Sequence, residues 1–569
     1  MISGSGLKCV LANIELAKTG IERSKGVKTV VLVTGSREDQ KRWRRRLNRT
    51  APFIFNRDNS TFVLSLREQI DDKTGEGNFL GTLLAYSGLK QEARRSKIKY
   101  RESVSLMGML FGRGERMSPF TQIEGDCKPA IASTAANIVI DGERTPISEV
   151  EEALMFFAPV AVYLENSGFR GVLNKWGDET QIPSIDLGKP AGENRSFSAY
   201  DIIKFISVKE VSRELAVEKD WVVYNEDREV TAQLPRNKMD ILVSQLREHG
   251  IRPDRDGKYH AGVSLGPVAV SYQVLDIAEQ VFREHVRRKG VCLDFDPYVL
   301  MAFAMRGDTA GWNAVLEKDQ ALRALAGPRG AVPDLFDKVN KVRGIFRDRY
   351  GRELNLKILD LGEDIFWTDV GRHDAMRKKY SALNGKGAEG VIAARLENIP
   401  AARDEKGNII VNSTVNHDVD VRDSILINST VTGKGRIRGS VVKDSVFGDV
   451  EMTEAFAVQS FRTGKTVLGK NSGIYRSLGS TLDILTLGEN MRHGTLLTAA
   501  GPIDMTVAES TDLRDKERTY DVPVSGNKMS FRAAYDEMFG VSMEELKKRR
   551  EQAIEAIKRI DGMNRRSRQ

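Results

Sequence analysis

The sequence predicts an α/β protein in which a Rossmann-like, mostly parallel sheet is followed by a β-helix of the left-handed type and a terminal helix. Over residues 1–390, short β-branched runs that end at Gly or Asn alternate with amphipathic helical stretches, the pattern of a sheet whose crossovers are helices. From Asn408 the pattern changes to β-branched pairs recurring every five to seven residues between Asn, Asp, Ser and Gly. That suits a solenoid whose coils bury Val and Ile against the coils on either side. Ser530 to Arg568 places Leu546, Ile554 and Ile557 at helical spacing among alternating charges, as a surface helix requires. The expected domains are an α/β domain at 1–390, a β-helix at 400–505 and a helical extension at 506–569.

In chain order, KTVVLVTG at 28–35 reads as a buried strand feeding the charged helical stretch Ser36 to Leu47. Val104 to Phe111 is an apolar strand that stops at Gly112. Ile147 to Phe157 reads as a helix and the apolar Ala158 to Leu164 as the strand after it, with another strand at Gly171 to Leu173. Tyr224 to Lys238 turns at Glu226-Asp227 between two strands, and Gly262 to Tyr272 is a further strand. His373 to Leu383 reads as a helix broken by Asn384-Gly385-Lys386-Gly387. The competing reading of 405–500 is a small sandwich of short strands. In open α/β sheets ligands gather at the carboxyl ends of the strands, so the loops that follow strands are where chemistry is sought.

Composition narrows the function classes. The chain has 569 residues, 40% hydrophobic and 29% charged, which excludes a disordered polymer and a membrane bundle. No run approaches the ~20 apolar residues of a membrane helix, and MISGSGLKCV lacks a signal-peptide layout. A cytoplasmic protein that does not engage membranes is expected. Cys9, Cys127 and Cys292 form no CxxC pair, against a disulfide framework or structural zinc. The net charge of +8 is small beside 87 basic and 79 acidic residues. The basic clusters at 41–46 and 547–550 have acids interspersed nearby and read as solvated helix faces, so nucleic acid is not an expected partner.

The most informative stretch is LFGRGERMSPFTQIEGDCKP, Leu110 to Pro129. A strand ends directly in a glycine-rich loop, where Gly112 and Gly114 let backbone N–H groups approach phosphates closely. Arg116 and Lys128 supply positive charge for a leaving pyrophosphate. A second stretch, GVLNKWGDETQIP, ends a short strand at Gly177-Asp178. A carboxylate there suits Mg²⁺, a hard cation that takes carboxylate and phosphate oxygens; a turn Asp capping the next segment is the alternative. A third, IFWTDVGRHDAM, enters a helix through Asp369-Val370-Gly371.

The spacing G-x-G-x-R-M-x-P-x-T followed by K-P resembles the signature loop of the sugar-phosphate nucleotidyltransferases, the NDP-sugar pyrophosphorylases. That resemblance implies a Mg²⁺-dependent enzyme joining a nucleoside triphosphate to a sugar 1-phosphate with release of pyrophosphate. It implies that Gly112, Gly114 and Arg116 hold the nucleotide phosphates, with Arg116 and Lys128 as catalytic cations. Asp178 resembles the family's first metal-binding Asp, and Asp369 the Asp that completes metal binding late in the catalytic domain. Lys128 follows Thr121 by seven residues, further than is usual in the family. Where the family carries E-K-P, this chain reads Leu-Pro-Arg, so Arg236 or Lys238 is the expected sugar-phosphate cation, a surface cation being the alternative. Ser264 lies in a segment similar to the family's sugar-facing strand. Asp294 and Asp296 take either a sugar contact, a metal contact or a loop role.

VVLVTGS and GEGNFLGTLLAY look like the opening of the fucose-1-phosphate guanylyltransferase type, which puts Gly77 and Gly81 beside the nucleotide, with Gly75. The signature loop comes late in this chain compared with most of the superfamily. Two rival expectations stand beside the enzyme. One is a non-catalytic nucleotide-sugar-binding regulator; the other is a bifunctional enzyme with acyltransfer in the β-helix, where His417 and His493 lie. The solenoid is expected to mediate subunit contacts in a homo-oligomer or to pack under the catalytic domain.

Overall fold

The computed structural model describes residues 2–22, 25–58, 60–68, 77–110, 114–189, 196–287, 335–400 and 402–568. The chain divides into two compact units, Met1–Phe111 with Ala153–Trp367, and Gly112–Glu152 with Thr368–Gln569. The division therefore falls at 367/368 rather than near 390, and the glycine-rich segment after Leu110 belongs to the unit that holds the coils.

The first unit is built on nine strands: β1 Thr29–Thr34, β2 Phe62–Arg67, β3 Ser105–Leu110, β4 Gly171–Trp176, β5 Ile202–Glu210, β6 Trp221–Tyr224, β7 Val230–Leu234, β8 His260–Ser271 and β9 Leu356–Asp360. Their order is β7-β6-β8-β4-β3-β1-β2, with β5 also beside β8 and β9 beside β5. β2, β1, β3 and β4 run parallel, as do β5 and β9. Ladders of β8 with β4, β5 and β6, and of β6 with β7, are antiparallel. Seven of the nine strands thus run in one direction, and β7 and β8 run against them. Only residues 225–229 join β6 to β7, too few for the crossover that a parallel pair needs.

β1 is buried along its whole length, and Ser36 starts the following helix Arg37–Ile54 by accepting the Asp39 N–H at 3.0 Å, a helix N-cap. The apolar run Ala158 to Leu164 is not a strand. It continues a single helix, Glu149–Asn166. A short run that is buried on every side reads alike as helix or strand, because periodicity separates the two only when one face is polar.

Among the described residues the second unit contains three sheets of short stacked strands, besides the two-stranded pair Ile138–Ile140 with Glu143–Thr145. In the first, Ile409–Val411, Ile425–Ile427, Val441–Lys443, Phe456–Val458 and Gly473–Tyr475 stack in parallel and continue into an antiparallel hairpin, Met491–Thr498 with Gly501–Ala508. Two five-stranded parallel sheets run through 414–479 and 419–487. Successive strands of one sheet are about one three-strand coil apart, and the register Ile409↔Ile425, Thr414↔Thr430 and Val419↔Gly435 steps by 16 residues. These stacked parallel sheets are compatible with a β-helix.

The turn residues of the coils explain the stacking. Asn412, Asn428, Asp444, Gln459 and Arg476 all have positive φ, and each precedes a serine. Ser429 N–H donates to Ser413 Oγ at 3.0 Å, Ser445 N–H to Ser429 Oγ, Ser460 N–H to Ser445 Oγ and Ser477 N–H to Ser460 Oγ. The hydroxyls form a ladder that satisfies buried turn amides, which would otherwise cost about 1–3 kcal/mol each. Leu426, Val442, Phe447 and Ile474 fill the coil interior. Ile425, Ile427, Val441 and Phe456 project from the same strands to the other face, against Phe120, Ile131, Met376 and Tyr380. The first sheet is thus apolar on both faces, which is why its strands lack alternation and why 112–152 packs with this unit.

Charges are buried in that packing. Lys443 Nζ donates to Ala135 O at 2.8 Å and pairs with Glu397 at 2.5 Å. Burial pushes the Glu397 carboxyl up to about 7 against the pull of Lys443. Lys443→Met is expected to lower stability by about 3–5 kcal/mol, since removing one partner leaves the other buried alone. Urea melts read the loss, and the double variant Lys443→Met with Glu397→Gln should regain most of it.

Candidate functional site

In the second unit, residues 114–132 form the loop that the sequence singles out. Gly114 has φ +61°, and a Cβ there would lie 2.6 Å from Thr121 Cγ2 and 2.8 Å from Lys128 Cβ. Only glycine fits both the left-handed backbone and the space. The fold therefore brings Gly114, Thr121 and Lys128 together despite the long Thr-to-Lys spacing. The loop rests on the coils: Phe120 packs against the Tyr475 ring, and the Tyr475 hydroxyl donates to Glu124 and accepts from Ala132 N–H at 2.9 Å. Burial and the Glu124 carboxylate raise the Tyr475 pKa, so the hydroxyl stays protonated. Arg476 Nε pairs with the same carboxylate at 2.8 Å.

His373 ties the loop to the helix His373–Ala382. Its Nε2 lies 2.8 Å from Ser118 O, which makes that nitrogen the donor, and its ring meets Phe120 edge-on. Burial, with Arg492 adding to it, lowers the imidazole pKa to about 4. His373 is thus a buried, neutral strut between helix and loop. Its folded pKa lies below the unfolded value of ~6.5, so its stabilising contribution is full above that pH and is lost as pH falls toward 4. We expect acidification across this window to cost on the order of 3 kcal/mol more in the native protein than in His373→Gln, which keeps an N–H for Ser118. Denaturant melts at pH 7 and pH 4.5 make the comparison.

Arg116 and Asp369 meet around Gly371. A Cβ on Gly371 would lie 2.9 Å from Asp369 Oδ1, 3.1 Å from its Oδ2 and 3.3 Å from Arg116 Nη2. The Gly371 N–H donates to Asp369 Oδ1 at 2.6 Å, so the Asp-Val-Gly turn aims the carboxylate. Both side chains are exposed. Among the described residues Arg116 makes no hydrogen bond or ion pair, an unusual state for a guanidinium beside a carboxylate and one that leaves its donors open to a ligand.

In the first unit, Asp178 occupies the turn between β4 and the strand Glu179–Ile182. Gly177 N–H donates to Met109 O at 3.1 Å, so this half-buried carboxylate stands at the carboxyl end of the adjacent parallel strands β3 and β4, where the loop after Leu110 begins. Gly77 and Gly81 are buried in the first turns of the helix Gly77–Ser96, whose Thr82 hydroxyl accepts from Asn174 of β4 at 2.9 Å. Ser264 and Arg236 are gathered by a residue that the sequence reading passed over, Asp220. Its carbonyl accepts from Ser264 N–H at 2.9 Å, and its carboxylate accepts from Arg236 N–H at 3.0 Å and lies 3.5 Å from the guanidinium. Lys238 is exposed and precedes the helix Met239–Glu248.

Gly112, Gly75, Asp294 and Asp296 lie outside the described residues. His417 is exposed beside Asp418, at 3.2 Å, and His493 is buried in the hairpin after the last coil. Among the described residues no three His, Cys, Asp or Glu side chains cluster as a metal site. The donors that would hold Mg²⁺ are single carboxylates, Asp369 with Oδ2 turned from the Gly371 N–H and Asp178 at its strand end. An oxygen-only donor set of this kind suits a hard cation that keeps phosphate and water ligands. Among the described residues no helix is long and apolar enough to cross a membrane. Gly371 and His373 carried a sequence signal, the Asp-Val-Gly-Arg-His run; Asp220 carried none. Compared with known proteins, the chain matches no family profile and no curated sequence.

Proposed function

We propose that the chain is a sugar-1-phosphate nucleotidyltransferase, which joins a nucleoside triphosphate to a sugar 1-phosphate and releases pyrophosphate. On this reading the first unit is the Rossmann-like nucleotide-binding part, and the coils form a left-handed β-helix. The observation that carries the reading is the uncommitted Arg116 guanidinium beside the Asp369 carboxylate, on a loop whose Gly114 turn admits no side chain. Asp178, at the carboxyl end of β3 and β4, supports it.

The reaction needs no protein nucleophile. A sugar-phosphate oxygen attacks the α-phosphorus in line, the new O–P bond forms, and the bond to the bridging oxygen breaks as pyrophosphate leaves. Repulsion between anions is the obstacle, so the protein's work is positioning and charge stabilisation. Arg116 is placed to meet the charge that grows on the leaving group, with Lys128 behind the Gly114 turn. Backbone N–H groups of the loop orient the phosphates. Asp369 in the second unit and Asp178 in the first are each a candidate carboxylate for Mg²⁺, which when bound screens the phosphate charge. Arg236, steadied by Asp220, or Lys238 would hold the sugar phosphate, with Ser264 near the sugar hydroxyls.

The test is a matrix of nucleoside triphosphates and sugar 1-phosphates in the presence of Mg²⁺, read by pyrophosphate release and by the nucleotide-sugar formed. Turnover is expected for at least one pair. Nucleotide-sugar binding without turnover of any pair would overturn the enzymatic reading in favour of a regulatory binder.

A further inference from the structure

The coils carry an irregularity at their carboxyl end. In the sheet through 414–479 the second residue of each strand points inward: Val431 and Phe447 are apolar and buried, but the next coil places Arg462 there, 2% exposed. Its Nη1 donates to Ser477 Oγ at 3.0 Å and Leu478 O at 2.6 Å, while Nε has no hydrogen bond. Gly479 leaves room for it, since a Cβ there would lie 2.7 Å from the guanidinium carbon. A buried cation in an apolar column costs stability unless something uses it.

Beyond that coil, the hairpin Met491–Thr498 with Gly501–Ala508 sets His493 opposite Thr506 and Thr495 opposite Asp504. His493 is 1% exposed. Its Nδ1 lies 3.1 Å from Thr506 Oγ1; its Nε2 has no hydrogen bond and sits 3.6 Å from Asp504 Oδ1. Thr495 accepts from Leu478 N–H at 2.9 Å and donates to Asp504 at 2.7 Å. His493, Thr495, Asp504 and Thr506 line a cavity of about 1120 Å³, to whose wall the helix Met543–Arg568 contributes Arg549.

We propose that this cavity binds a neutral, polyhydroxylated ligand, a sugar or polyol, at a site separate in residues from the nucleotidyl-transfer groups. An apolar ligand would leave the buried His493 Nε2, which has no hydrogen bond, without a partner. An anion would meet three wall carboxylates, Asp483, Asp504 and Glu545, against two cations, Lys528 and Arg549, and Arg549 already donates to Leu497 O and to Glu545, each at 2.9 Å. Beside apolar residues, the wall carries His493, Thr495, Thr506, Asn527 and Gln552 as donors and acceptors, with charges of both signs. A hydroxyl, which donates and accepts at once, is the group that matches such a wall.

The test uses the full-length protein and calorimetric titration with D-glucose, D-galactose, D-mannose and myo-inositol, with inorganic phosphate as the anionic arm. At least one neutral compound is expected to saturate with Kd below about 1 mM. Asp504→Asn, at a half-exposed position that should not disturb folding, is expected to weaken it about tenfold or more. His493→Gln should do the same, with melting curves showing that it folds. Arg116→Ala should leave this binding intact while turnover falls, which separates the cavity from the transfer site. Saturation by phosphate instead, no saturation by any neutral compound at 10-fold that concentration, or unchanged affinity in Asp504→Asn would each overturn the proposal.

Discussion

Arg116→Ala is expected to lower the rate of pyrophosphate release by about 10²–10³, the loss seen when one preorganised charge is removed from a transition state. The melting temperature should not move, because the side chain is exposed and, among the described residues, makes no hydrogen bond or ion pair that folding depends on. Arg116→Lys should fall between the two, since an ammonium keeps the charge but not the planar fork that matches two phosphate oxygens. The measurement is kcat and KM for both substrates in each variant. If the charge acts on the leaving group, kcat carries the loss. A change confined to KM would instead make Arg116 a ground-state phosphate anchor.

The second large effect is expected for Asp369→Asn. The amide oxygen can still accept the Gly371 N–H that Asp369 Oδ1 accepts at 2.6 Å, so the turn should persist while one negative charge disappears. We expect a rate loss of about 10²–10³ at fixed Mg²⁺, together with a requirement for more Mg²⁺, read from the rate as the metal is titrated. Chelation by EDTA should abolish turnover of the native protein. A variant with normal rate and normal Mg²⁺ dependence would remove Asp369 from the site and leave it as a turn residue. Asp178→Asn, at the strand end of the first unit, is also expected to lower turnover by about 10²–10³.

Much of this protein could be read from residue pattern. The strand 29–34 and its serine-capped helix, the strand before the glycine loop, the helix at His373 and the change of character after Pro400 all follow local rules: β-branched runs, caps and turn residues. The 16-residue coil was also written in the chain, in the pair VNSTV and INSTV at 411–415 and 427–431. Spacing of five to seven residues is one side of that coil. Gly114 was legible as a turn glycine, but that Thr121 and Lys128 crowd it was not, because they are brought there by the fold. The helical identity of Ala158 to Leu164 was not legible, since a segment buried all round shows no period.

The sequence by itself determined the kinds of element, the turn chemistry that stacks the coils, and the residue types at the loop, because these depend on neighbours a few positions away. Tertiary structure alone decided that β8 runs against its neighbours, that residues 114–132 pack on the coils, and that Arg116 and Asp369, 253 residues apart, flank one glycine. It also decided that Asp220 gathers Ser264 and Arg236, and that His493, Thr495 and Asp504 line one cavity. Those outcomes rest on which apolar faces cover one another, a competition among distant surfaces that no local pattern encodes.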